Sequence, residues 1–192
     1  MRSKPVQKPI RRVREVLPAL IVLAILLTAR SSFADHYYVP SGSMLPSLEA
    51  GDRIAVDKRA YGLRVPLTHV RVLDESPPRR GDVVVFPSPE TGDVLVKRVV
   101  AIGGDVVEVR EGRVAIDGEP VRLRREGGLV VELLGESRHA VRFDGGGGPD
   151  FGPARVPADH VLVLGDNRGN SHDGRLFGFL PNDRLLGRVV GV

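Results

Sequence analysis

Three short segments of this chain carry hydroxyl, amine and carboxylate groups in patterns that a purely structural module does not need. In the first, Val39-Pro40-Ser41-Gly42-Ser43-Met44-Leu45-Pro46, two serines flank a glycine and prolines bound the stretch. Proline fixes φ and glycine permits unusual backbone angles, so such a turn can present a hydroxyl in a defined place. An ordinary Ser/Gly/Pro loop has the same composition. The stretch does not match the Gly-x-Ser-x-Gly elbow of α/β-hydrolases, because Ser41 and Leu45 stand two residues either side of Ser43.

The second segment, Leu95-Val96-Lys97-Arg98-Val99-Val100, is an apolar run interrupted by two cations. Strand alternation puts Leu95, Lys97 and Val99 on one face and Val96, Arg98 and Val100 on the other. A lysine kept dry among aliphatic neighbours titrates below its ordinary value of about 10.4, since burial disfavours the ammonium form. A lowering of two to three units costs roughly 3 to 4 kcal/mol, which is tolerable where the neutral amine has a use as general base toward a hydroxyl. A lysine that snorkels from an edge strand would read the same way in sequence.

The third segment, Gly165-Asp166-Asn167-Arg168-Gly169-Asn170-Ser171-His172-Asp173-Gly174-Arg175, suits a loop with many side-chain to backbone hydrogen bonds. Asp166, Asp173, Arg168 and Arg175 are expected to brace a site wall as ion pairs, and Ser171 to orient a neutral amine. Calcium is the rival reading, but the acidic spacing lacks the EF-hand pattern and its closing Glu. His172 beside Asp173 suggests a Ser-His-Asp arrangement, yet adjacent strand residues point to opposite sides. The five histidines show no paired metal spacing, so no metal or cofactor is implied.

Around these segments lie short β-branched clusters: residues 82–86, 94–102, 106–109, 114–116, 129–134, 161–164 and 185–190. Glu111-Gly112 and Asp117-Gly118 read as tight turns between them. None shows sustained helical periodicity. The expectation is a mainly β, antiparallel domain over residues 35–192, a partly open barrel or folded sheets, with a breaker-rich middle section at 105–158.

Ahead of this domain, residues 1–15 carry six cations and one anion, and the only long apolar run follows. The run, Val16 to Ala29, falls short of a bilayer core, and continuing it to Ala34 makes a short span that can cross with Arg30 snorkelling at the far interface. The cations predict a cytoplasmic tail at 1–15, a membrane anchor at 16–34 as one transmembrane helix, and an exported domain. Ser32-Phe33-Ala34 also fits the small-x-small end of a cleavable signal, and both readings export residues 36–192.

Composition narrows the classes. Apolar residues at 42% exclude a wholly disordered chain, and charged residues at 27% exclude a multi-span membrane protein. The 23 glycines and 15 prolines favour turns and short strands. With no cysteine there is no disulfide or thiolate nucleophile. The net charge of +4 sits wholly in the tail, which argues against a nucleic-acid-binding face.

Taken in order, Val39-Pro-Ser-Gly-Ser-Met, Arg80-Gly-Asp-Val-Val-Val-Phe86, Val96-Lys-Arg-Val-Val and Gly165 to Arg175 resemble the sequence boxes of type I signal peptidases. The resemblance implies a signal-peptidase-like β fold and a Ser-Lys dyad, with Ser43 as nucleophile and Lys97 as general base. It implies that Ser41 serves the oxyanion hole beside the Ser43 N–H, that Ser171 orients the amine, and that Asp173 and Arg175 support the wall. The pocket for the small residue before the cut is expected to be lined by Val39, Pro40, Met44, Leu48, Leu95 and Val96. The implied substrate is a preprotein signal peptide, cut after small-x-small sites at a bilayer by a monomer, with the apolar segment retained as anchor. Ser43 lies only 15 residues past Thr28, which keeps it near the membrane surface.

The chain departs from the family pattern at Gly169, where an Asp is common, at Gly174, where a Ser is common, and at Ala101 to Asp105, where Gly-Leu-Pro-Gly-Asp is usual. A specialised peptidase with one or a few substrates and a non-catalytic membrane-tethered binding module are the alternatives. A self-cleaving repressor is disfavoured because residues 1–35 are too short and too apolar for a DNA-binding domain.

Overall fold

The computed structural model describes residues 34–61 and 76–192, with Pro18 the single described residue before them. The tail at 1–15 and, but for Pro18 and Ala34, the anchor at 16–34 lie outside the described residues. Among the described residues no helix is long and apolar enough to cross a membrane.

Fourteen strands are described, all paired antiparallel, in three sheets. The largest has β1 (Ala34–Tyr38), β2 (Arg53–Asp57), β3 (Val83–Pro87), β4 (Val94–Ile102), β12 (His160–Leu164), β13 (Leu180–Pro181) and β14 (Gly187–Gly191), in the order β1-β2-β14-β3-β4-β12-β13. A second joins β11 (Phe151–Arg155) to β5 (Val106–Arg110), β6 (Arg113–Ile116) and β7 (Glu119–Pro120). The third is β10 (Ser137–Val141), β9 (Leu129–Leu134) and β8 (Arg122–Glu126). Among the described residues nothing pairs β1 with β13, so the large sheet does not close on itself. The helix α1 (Gly174–Phe177) begins at the end of the third chemistry-bearing segment.

The local rules behind the sequence expectations operate here. Glu111 and Asp117 take φ of 48° and 52°, each followed by a glycine at positive φ, as tight hairpin turns demand. These turns join β5 to β6 and β6 to β7. β4 is the central strand that positions chemistry. It is buried from Val96 to Ala101 because side chains pack on both of its faces, Val100 and Ala101 in one cluster and Val96 and Val99 in others, and within that stretch only Lys97 and Arg98 are not apolar. The register with β12 slips between the pairs Leu162↔Ala101 and Val163↔Val99, leaving Val100 as the extra residue of a bulge.

The buried side chains form three clusters. One holds Val39, Met44, Leu48, Ile54, Val85 and Val96 under the Ser43 turn. A second packs Phe86, Val99 and Val163 beneath α1. The third fills the space between β4, β12 and the middle section with Val100, Val107, Leu134 and Leu164.

Candidate active site

Ser41 is extended, and the chain then turns through a 3-10 turn over Gly42–Met44, closed by Leu45 N–H donating to Gly42 O at 3.2 Å. Met44 is fully buried and anchors the turn in the apolar cluster. This leaves the Ser43 hydroxyl on the turn facing β4. Lys97 reaches it from the strand, with Nζ 2.6 Å from Ser43 Oγ. Ser41 Oγ donates to Ser43 Oγ at 3.3 Å.

The electrostatics of the amine follow from its burial. Lys97 is only 3% exposed and Ser43 9%. Loss of water draws the Lys97 pKa from 10.5 down to about 8, with Asp173 and Asp166 pulling weakly the other way. A substantial neutral fraction therefore exists at mildly alkaline pH, hydrogen-bonded to a hydroxyl.

The third segment forms the wall behind the pair. Asp173 caps α1 by accepting from Arg175 N–H, is gripped by Arg175 Nε at 2.8 Å, and accepts from Gly165 N–H at 3.0 Å. Gly165 sits so tightly between Ser171 and the Ser43 backbone that a Cβ there would meet Ser171 Oγ at 2.3 Å and Ser43 O at 2.5 Å. Ser171 Oγ is buried and hydrogen-bonded to nothing, so it does not hold the Lys97 amine in this arrangement. His172 turns away to Glu90 at 2.6 Å while Asp173 serves Arg175, so the adjacent pair forms no triad with Ser43.

Of the expected pocket residues, Val39, Met44, Leu48 and Val96 share one cluster. Leu95 packs with the neighbouring cluster on the other side of β4, and Pro40 is exposed. The expected ion pairs of the wall are partly redistributed. Asp166 is held by Arg98, at 2.8 and 2.7 Å, and Arg168 by Glu132, at 2.9 and 2.5 Å. Burial opposes ionisation of Glu132, but the Arg168 charge and hydrogen bonds from His139 and Arg168 outweigh it and draw its pKa to about 2. Glu132 belongs to the middle section and had no sequence signal beyond being an acid in an apolar strand. Asn167 and Asp144 were also unassigned. Two of the three family departures fall where a side chain does not fit: a Cβ on Gly169 would lie 1.3 Å from Asp144 O, and one on Gly174 2.8 Å from Leu162 Cδ1.

A serine hydroxyl held against a buried amine of lowered basicity, on an antiparallel β scaffold, is the kind of site that serine peptidases use. The family profile described as "Signal peptidase, peptidase S26" matches residues 12–192, and the chain belongs to that family. Signal peptidase I of Pseudomonas fluorescens is 37% identical over 195 residues, covering 89% of this chain and 68% of its own. A probable signal peptidase I-1 of Synechocystis sp. is 35% identical, covering 99% of this chain and 87% of its own. A crystal structure of a signal peptidase I from Enterococcus faecalis shares 25% identity with a TM-score of 0.42, covering 60% of this chain and 98% of its own.

Proposed function

We propose that this serine endopeptidase removes N-terminal signal peptides from preproteins after small-x-small sequences, with Ser43 as nucleophile and Lys97 as general base. The observation that carries the assignment is the 2.6 Å contact between Ser43 Oγ and an amine almost wholly removed from water.

Neutral Lys97 takes the Ser43 proton as Oγ attacks the scissile carbonyl carbon. The oxyanion is held by the Ser43 N–H and the Ser41 hydroxyl. Collapse breaks the C–N bond, and the lysine ammonium returns its proton to the leaving amine, which is the new N-terminus of the mature protein. Water, deprotonated by the same lysine, then hydrolyses the ester and frees the signal peptide as its carboxylate. Asp173 and Arg175 stiffen the wall, and the unpartnered Ser171 hydroxyl is available to turn toward the amine.

The substrate lies extended against a strand edge, where backbone hydrogen bonds make no sequence demand. Selectivity for small residues rests on Val39, Met44, Leu48 and Val96, the expected pocket residues that share one cluster. Residues 16–34 serve as a retained anchor, with 1–15 in the cytoplasm and 35–192 on the exported side of the cytoplasmic membrane, against the bilayer and as a monomer. The six cations of the tail support that orientation.

The test is incubation of the detergent-solubilised chain with a preprotein bearing an Ala-x-Ala site, read by product mass. Cleavage is expected in the wild type, with kcat/KM rising as pH increases through about 8 as Lys97 loses its proton. Ser43→Ala and Lys97→Ala should each lose roughly 10³-fold or more. A folded wild-type chain that leaves the preprotein intact removes the function, and cleavage retained in Lys97→Ala removes the dyad.

A further inference from the structure

Asp144 of the middle section is linked to the nucleophile turn by way of Asn167, a residue of the third segment. This residue is 2% exposed and holds three groups. Its backbone N–H donates to Ser43 O at 3.0 Å, and its Nδ2 donates to Gly42 O at 3.4 Å and to Asp144 Oδ2 at 3.3 Å. The amide orientation follows from its partners, since a carbonyl and a carboxylate oxygen both accept and only an NH₂ group satisfies them.

Asp144 is delivered to this point by the middle section. The chain leaving β10 bridges the catalytic wall, with Arg142 N–H donating to Asp166 O at 2.9 Å and Arg168 N–H to Arg142 O at 2.8 Å. Arg142 then holds the Asp144 carboxylate at 2.8 Å. The Asp144 backbone approaches Gly169 so closely that only a residue without a side chain fits there. The departure from the family pattern at 169 is what admits this docking.

The geometry of a peptide bond gives these contacts a consequence. In a planar trans peptide the C=O of one residue and the N–H of the next point in opposite directions. The Gly42 carbonyl and the Ser43 N–H share one such plane. A donor that fixes the Gly42 oxygen fixes the direction in which the Ser43 N–H points, and that N–H is the proposed oxyanion donor. The Asn167 backbone N–H secures the next peptide through Ser43 O. Asn167 thus contacts both planes flanking the nucleophile, sharing the Gly42 oxygen with the Leu45 N–H, which donates to it at 3.2 Å.

We propose that Asp144 and Asn167 are positioning residues: Asp144 orients the Asn167 amide, which sets the Gly42–Ser43 peptide as a preorganised oxyanion donor, and the middle section thereby serves the reaction. This rests on the Ser43 and Lys97 assignment above. An oxyanion donor acts on the transition state and hardly on the ground state, so loss of its alignment lowers kcat and leaves KM.

The experiment uses the full chain in detergent against the same preprotein, with kcat and KM separated and a thermal midpoint measured for each variant. Asn167→Ala is expected to lower kcat about 100-fold, the scale of a misplaced catalytic group, and Asp144→Ala about tenfold, with KM within about twofold. Asp144→Asn keeps an acceptor oxygen and should restore most of the rate. Because Asp144 acts through Asn167, the double alanine variant should be no slower than Asn167→Ala alone. Wild-type kcat in Asp144→Ala, an Asp144→Asn variant as slow as Asp144→Ala, or a loss that follows only the unfolded fraction overturns the proposal and leaves the peptidase standing. A folded wild type without cleavage overturns the peptidase assignment and the positioning role with it.

Discussion

Replacing Lys97 by methionine separates the cost of the buried amine from its use. Methionine fills similar space and does not titrate. In the folded chain burial lowers the Lys97 pKa from 10.5 to about 8. At pH 7 the amine is protonated in both folded and unfolded chains, and the folded state bears the whole desolvation cost, about 3 kcal/mol for a gap of this size. Between pH 8 and 10.5 the unfolded chain binds a proton that the folded chain has released, so wild-type stability climbs through that window. By pH 10 the remaining cost is about 1 kcal/mol. The lost contact with Ser43 offsets about 1 kcal/mol of the gain at either pH. Lys97→Met is therefore expected to exceed the wild type in stability by about 2 kcal/mol at pH 7 and to match it within about 1 kcal/mol at pH 10, while cutting no preprotein. Urea unfolding of both chains in the same detergent at the two pH values measures this. A stability difference that stays constant between pH 7 and 10, or a methionine variant weaker than wild type at pH 7, refutes the premise that the amine is dry.

Two further substitutions probe the wall. Glu132→Gln leaves the Arg168 guanidinium buried without its carboxylate and should cost about 3 to 5 kcal/mol at pH 7, read by urea unfolding. Because the folded Glu132 pKa is drawn to about 2, its contribution is complete above pH 4.5 and fades as pH falls toward 2, so the gap between wild type and variant should narrow at pH 3. Gly169→Ala pushes a methyl into the Asp144 carbonyl and should cost about 2 kcal/mol, seen as a thermal midpoint lowered by roughly 4 to 8 °C.

The fold was readable where strands had one apolar signature and turns had one solution. Residues 94–102, 106–109 and 129–134 became β4, β5 and β9 with ends shifted by a residue or less, and Asp117-Gly118 became the turn joining β6 to β7. β8 and β10 were missed because Arg122 to Glu126 and Ser137 to Val141 are too polar to stand out, and they are held in place chiefly by pairing with β9 on either side. β1 was missed for a similar reason, its Asp35 and His36 masking a strand that β2 alone pairs.

Sequence alone determined which functional groups exist and which local turns carry them: a hydroxyl in a Pro-bounded turn, an amine inside an apolar strand, and a loop rich in Asp, Asn and Gly. It could do so because residue type, backbone freedom and period-2 alternation are local properties. Tertiary structure alone decided which of these meet. The 2.6 Å contact between Ser43 and Lys97 spans 54 residues of chain, and the Arg168 to Glu132 and Asn167 to Asp144 contacts span 36 and 23. Such contacts, and the dryness that lowers the basicity of Lys97, come from several elements packing together, and no local stretch of residues encodes them by itself.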